Sequence, residues 1–315
     1  MNKPVKFGLR IPAFPLNDSR GVAFRDEIIN FLRVLEGQYD SAWLADHFVP
    51  WHTETDPIAD TLEAWTGLSY LAGKFKHYAF GTIVLSQSYR NPALLAKMAA
   101  TFQLMSGGRL ILAIGAGWKE DEYLAYGYDF PSTPTRIHQM GEAVQIIRQM
   151  WTQPKSTFHG KFYQVEDAIC EPKPDPLPPI MIGGGGKKIT LRYVAQFADW
   201  WNFPGGTSEF YAELLEALKG HCQDVGRDYN EIVKTWAVEC VSVAETHAAA
   251  LELAQVSPLY DPDTAIVGTP DEVEEQLRRF TDLGVEHFIF RLPDFPRTNT
   301  AEMFAREVVP RFQDY

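Results

Sequence analysis

Asp46 and His47 stand side by side in "WLADHFVPWH", at the end of a short apolar run. An imidazole exchanges its proton near neutral pH, and an adjacent carboxylate can fix its tautomer or raise its pKa, so the pair suits general acid–base chemistry. A hydrogen-bonded histidine with a purely architectural role fits the same residues. Four consecutive glycines, Gly183, Gly184, Gly185 and Gly186, follow "PIMI" and lead into Lys187, Lys188 and a helix-like stretch. A strand end, a bare backbone and a helix N-terminus near Lys187 offer N–H donors and a positive dipole end to a phosphate, and Lys187 or Lys188 adds charge. A tight turn needing φ > 0 at one or two positions is the other reading. The run is not the dinucleotide fingerprint, which belongs to a first βα unit with an acidic residue about twenty positions further on. In "GRLILAIGAGW", Ala116 sits between two glycines and before Trp118. Small residues there let a flat ring lie against the backbone with Trp118 as one wall, or else allow close packing of helix on strand.

These residues need a scaffold that brings them together. Apolar β-type runs recur at 5–11, 41–46, 78–85, 110–117, 179–184, 198–203, 235–243 and 286–292, and amphipathic helical windows separate them. Ile28, Leu32, Leu35 and Tyr39 keep helical spacing, as do Ile137, Met140, Val144, Ile147 and Trp151. Asn91 before Pro92 is a helix start with proline in the first turn; Thr269, Pro270 and Glu272 form a capping box. Eight strands alternating with helices, with no linker-like segment between them, predict a single domain over 1–315 folded as a (β/α)₈ TIM barrel. Insertions are expected at its C-terminal face. The proline-rich stretch 152–180 is expected to cross the barrel mouth, and 256–268 to be a second long loop. Since barrel chemistry sits at the C-terminal ends of strands, the segments to watch are 46–47, 84–88, 115–118, 183–186, 202–206 and 291–295.

Composition narrows the function further. The formal net charge is −12 and no block of Lys or Arg stands out, which argues against nucleic-acid or anionic-membrane partners. The N-terminus reads as a strand and no apolar run approaches about eighteen residues, so a cytoplasmic location is expected. Cys170, Cys222 and Cys240 are scattered, as suits reduced structural thiols. His52 and Asp56 would permit a metal, yet other strand ends supply no further histidine or paired carboxylate, and no metal is expected. There is no G-x-S-x-G elbow and no strand-end lysine for covalent catalysis.

Taken together, "SAWLADHF", "GTIVLSQSYRNP", "ILAIGAGWKEDEY", "PPIMIGGGG", "ADWWN" and "VGTPDEVEEQL" resemble the bacterial luciferase-like monooxygenase superfamily, in order and spacing, across nearly the whole chain. The segments "ADHF", "GTIV", "YRNP" and "IGAGW" most resemble members that use the deazaflavin coenzyme F420. The resemblance implies an oxidoreductase that moves a hydride between F420 and a small organic substrate, with a homodimer as the working form. It implies His47, beside Asp46, for proton transfer or for stabilising a charged intermediate, and a non-proline cis peptide between Ile83 and Val84 behind the ring. Cofactor contacts are expected from Ile83, Val84, Ala116, Gly117, Trp118, Gly183, Gly184, Gly185, Gly186 and Lys188. The same scaffold can carry FMN in a two-component monooxygenase, and a flavin-binding protein without catalysis is an alternative of another class. One departure bears on the substrate: sugar-phosphate dehydrogenases of the family carry a glutamate where this chain has Trp118, and their phosphate-binding lysines and arginine have no evident match. A tryptophan-walled mouth suggests a more apolar, carbonyl- or enone-like substrate.

Overall fold

The computed structural model describes residues 4–51 and 58–313. Eight parallel strands form its centre: β1 Lys6–Arg10, β2 Ser41–Leu44, β3 Ala79–Thr82, β4 Leu110–Gly115, β5 Ile180–Gly183, β6 Trp200–Pro204, β7 Val233–Val238 and β8 Val285–Phe290. Each pairs with its sequence neighbours, and β8 pairs back onto β1 with Phe7 opposite Phe288, closing the barrel. Strands covered on both faces need continuous apolar sequence, and β4, "LILAIG", is buried throughout.

Trp43 fills the barrel interior with Ile111, Ala113, Met181, Ala237 and Ile289. Two glycines make room for it, since a Cβ on Gly8 would lie 2.5 Å from the indole nitrogen and one on Gly81 would overlap the ring. The remaining strand side chains face the surrounding helices in a second, larger core. The helix starts read from sequence are present. The Asn91 side chain accepts from the amides of Ala93 and Leu94 at 2.9 and 3.3 Å, opening Pro92–Ser106, and Thr269 with Glu272 caps Pro270–Thr281 on both sides of the box. No helix among the described residues is long and apolar enough to cross a membrane.

Four expectations change in detail. The run 235–243 is two strands, because the chain leaves the barrel after Val238 and Val241–Val243 pairs in parallel with Ile266–Gly268, inside the stretch expected to be loop. The helix after the glycine run starts at Thr190 rather than near Lys187. Two helices, Glu120–Ala125 and Asn299–Glu307, fall where no helical period was read. Finally, 152–180 does not cross the mouth. It forms a hairpin, Ser156–His159 with Gln164–Ala168, held against the outside of helix Thr133–Thr152, where Glu142 accepts the amides of Lys161, Phe162 and Tyr163 at 2.8 to 3.0 Å. Farther along, Gln103 donates to the carbonyl of Pro176 at 2.7 Å. These bonds use the segment's polar backbone along the barrel wall, and the rim is covered instead by the segment after β4.

Candidate active site

The C-terminal ends of the strands surround a cavity of about 630 Å³. His47 enters it from the end of β2, with its ring between Trp51 (centroids 4.6 Å apart) and the edge of Trp118 (5.6 Å). Its Nδ1 lies 2.8 Å from Oε2 of Glu122 on the short rim helix Glu120–Ala125. Glu122 is buried and also accepts from the amides of Phe48 and Val49 and from the Tyr89 hydroxyl at 2.9 Å. Burial pushes its carboxyl up, but the bonds from His47, Phe48 and Tyr89 outweigh burial and hold it below the ordinary carboxylate range. A carboxylate only accepts, so Nδ1 carries the hydrogen and Nε2 is left to exchange a proton. Tyr89 stays a donor, because burial and the nearby Glu122 raise its pKa far above the usual phenol range.

Asp46 does not have the role its position suggested. It is buried and bound to the Arg90 guanidinium through both oxygens, at 2.9 and 3.0 Å, while the Ser86 amide donates to Oδ2 at 2.9 Å. Arg90 also meets Glu63, and the two carboxylates outweigh the burial that would lower its charge. Asp46 therefore ties the end of β2 to the segment after β3, and the carboxylate that orients His47 is Glu122.

Behind the cavity the peptide between Ile83 and Val84 is cis. The Val84 side chain occupies the space where a Cβ on Gly115 or Gly183 would stand, 2.7 and 3.0 Å from its methyl carbons. The other glycines of the run answer to other neighbours. Gly184 has φ +125°, a Cβ on Gly185 would meet Phe203 at 2.6 Å, and one on Gly186 would lie 2.7 Å from Thr190 Oγ1. Gly117 has φ +76° and abuts the Tyr123 hydroxyl, which bonds to Ser86.

Of the residues singled out from sequence, Asp46, His47, Ile83, Val84, Ala116, Gly117, Trp118, Gly183, Gly184 and Gly186 all line the cavity. Gly185 and Lys188 do not: Gly185 packs outward against Phe203 and Leu214, and Lys188 is exposed. Lys187 pairs with Glu213 at 2.8 Å. Sequence reasoning missed Glu122, Trp51, Arg10 and Glu239. Arg10 ends β1 and Glu239 follows β7, so the strand-end rule would have found both; nothing in "KEDEY" tells which acid turns inward. Among the described residues no group of three or more His, Cys, Asp or Glu side chains is placed to hold a metal ion. His52 and Asp56 lie outside the described residues. Cys170, Cys222 and Cys240 are buried, unpaired thiols.

A closed (β/α)₈ barrel with a concave chamber and a histidine–carboxylate pair at its C-terminal strand ends has the architecture of the barrel enzymes. More particularly, the chain belongs to the luciferase-like monooxygenase family, which it matches over residues 26–264. It is 30% identical over 302 residues to the F420-dependent glucose-6-phosphate dehydrogenase of Kineococcus radiotolerans, covering 86% of this chain and 88% of that one. The enzyme of the same name from Segniliparus rotundus is 27% identical, with 99% of both chains covered. The structure of an F420-dependent secondary alcohol dehydrogenase in complex with an F420-acetone adduct superposes with a TM-score of 0.79 at 22% identity, covering 98% of both chains.

Proposed function

We propose that the protein is an F420-dependent oxidoreductase acting on a small organic substrate, with His47 Nε2 as the group that gives or takes the proton. The observation that carries this reading is the His47–Glu122 pair, because a buried carboxylate on Nδ1 commits the other ring nitrogen to the cavity chemistry. When bound, F420 would supply the carbon that donates or accepts the hydride. The residues present fit such a group. Ile83 and Val84 make an apolar plate, and Ala116, Gly117 and Gly186 leave backbone uncovered beside Thr190, where a phosphate can accept N–H donors, while the Gly184 amide donates to the Asn202 carbonyl at 3.0 Å. Trp51 and Trp118 pack against the His47 ring.

Titration with F420 and, separately, with FMN tests the cofactor. F420 binding tighter than FMN supports the proposal; tight FMN with negligible F420 binding replaces it with the two-component monooxygenase reading. With the cofactor loaded, His47→Ala should lower the rate of substrate turnover about 10² to 10⁴-fold, the range of general acid–base catalysis, while changing cofactor affinity less than threefold. Equal loss of both, or loss of neither, overturns the role given to His47. A homodimer belongs to the same proposal. It is supported by exposed Tyr70, Leu94, Leu104 and Met105 on helices Ala64–Lys74 and Pro92–Ser106, and is read by light scattering. A cytoplasmic location is read by fractionation.

A further inference from the structure

Across the barrel from the cis peptide and the glycine run, the ends of β7, β8 and β1 bring together Glu239, Arg291 and Arg10. Arg10 meets Oε1 of Glu239, and Arg291 Nη1 donates to Oε2 at 2.8 Å. Both arginines are more than nine-tenths buried, at 9% and 3% exposure. One carboxylate is thus shared by two guanidinium groups, and the trio keeps one net positive charge. Three of its donors, Arg10 Nε, Arg291 Nε and Arg291 Nη2, are buried without a hydrogen-bond partner among the described residues. Burial pulls Arg291 down to about 9 despite Glu239, so its charge is incompletely compensated. Buried charges are normally paired and buried donors normally satisfied, and a deficit of both at one place leaves positive charge uncompensated beside the chamber.

Two members of the trio open on the same chamber as His47, and Arg291 lies behind them, outside the chamber's lining. Arg10 and Glu239 line it together with Trp51, whose ring lies 5.2 Å from the Arg291 guanidinium carbon, 6.0 Å from that of Arg10 and 4.6 Å from the His47 ring. A group held by Arg10 would therefore stand one indole's width from the proton-transfer residue.

We propose that Arg10, with the Arg291 charge behind it, forms a substrate subsite for a carboxylate, so that the substrate is a small organic acid oriented by its anionic end. Guanidinium forks match carboxylate geometry. Charge selects the monoanion: one carboxylate neutralises the trio, whereas a phosphate dianion would leave it negative. The inference rests on reading the chamber as the substrate's, and the cofactor is titrated in parallel so that the two can fail separately.

The test is calorimetric titration of the F420-loaded protein, and of the cofactor-free protein, with benzoate, benzamide and phenyl phosphate. Benzoate should bind at least about tenfold more tightly than benzamide and than phenyl phosphate. Arg10→Gln should weaken benzoate at least about tenfold, Arg10→Lys should recover part of the loss, and Glu239→Gln, which removes the shared negative charge while its amide oxygen still accepts from one guanidinium group, should strengthen benzoate. A merely architectural trio would lose stability in all three variants, with no opposite-signed change in benzoate affinity. Equal binding of benzoate and benzamide, or unchanged benzoate affinity in Arg10→Gln, overturns the subsite; preference for phenyl phosphate overturns its assignment to carboxylates. Benzoate selectivity without F420 binding would sustain the subsite and sink the cofactor reading.

Discussion

Glu122→Gln keeps the size of the side chain that supports His47 and removes its charge, so it isolates what the carboxylate does. Four donors converge on Glu122: the amides of Phe48 and Val49 on Oε1, and His47 Nδ1 and the Tyr89 hydroxyl on Oε2. A glutamine oxygen in the Oε1 position retains the two amides, and its NH₂ then faces Nδ1 and the phenol. Two charge-assisted bonds become neutral ones, at about 1 kcal/mol each, so the expected loss of stability is about 2 kcal/mol. The chemical consequence is larger. An NH₂ group requires Nδ1 to accept, which moves the hydrogen to Nε2 and reverses the tautomer facing the cavity. Long-range proton–nitrogen NMR on histidine-labelled protein reads this directly, with Nδ1–H expected in the natural protein and Nε2–H in the variant. The pH dependence has a definite sign. The folded Glu122 carboxyl lies below its ordinary value of 4.5, so its contribution is fully present above that pH and is lost as pH falls through the lower folded value. The stability gap between the two proteins should be constant at neutral pH and shrink below about 4.5. An unchanged tautomer in the variant, or a gap that widens on acidification, refutes the reasoning.

Arg90→Met should destabilise the protein by about 3 kcal/mol in chemical denaturation, because Asp46 is left buried with only the Ser86 amide as partner; a loss below about 1 kcal/mol would mean that water replaces the fork. Lys188→Ala should leave F420 affinity within about twofold, since the side chain lies outside the cavity and an exposed charge acts weakly on a site it does not touch. A tenfold weakening would return Lys188 to the phosphate site.

The barrel was legible because its strands are buried on both faces and so are written as unbroken apolar runs, "LILAIG" being the clearest. Helix ends were legible where chemistry marks them, at Asn91 and Thr269, and illegible at Glu120–Ala125, too short to show a period. The strand-end rule brought His47 and the small residues of β4 and β5 to one chamber. It failed wherever a choice between neighbours depends on the tertiary path. Asp46 beside His47 was the nearer carboxylate in sequence, while Glu122, 75 positions away, is the one in contact. The glycine run was read as one motif, but Gly183, Gly185 and Gly186 each clear a different side chain, and only Gly184 requires positive φ. Lys188 lies outside the cavity lining, a distance that spacing along the chain does not measure.

Val84 seated over Gly115 and Gly183 keys three successive barrel strands together through a single side chain. The three positions therefore share one volume. A methyl group added at either glycine has to be taken from position 84, and a larger residue at 84 has nowhere to expand while the strands stay paired. For anyone reshaping this chamber, the wall behind it is not three adjustable residues but one composite part, to be exchanged as a set, whereas the mouth formed by Trp51 and Trp118 can be altered residue by residue.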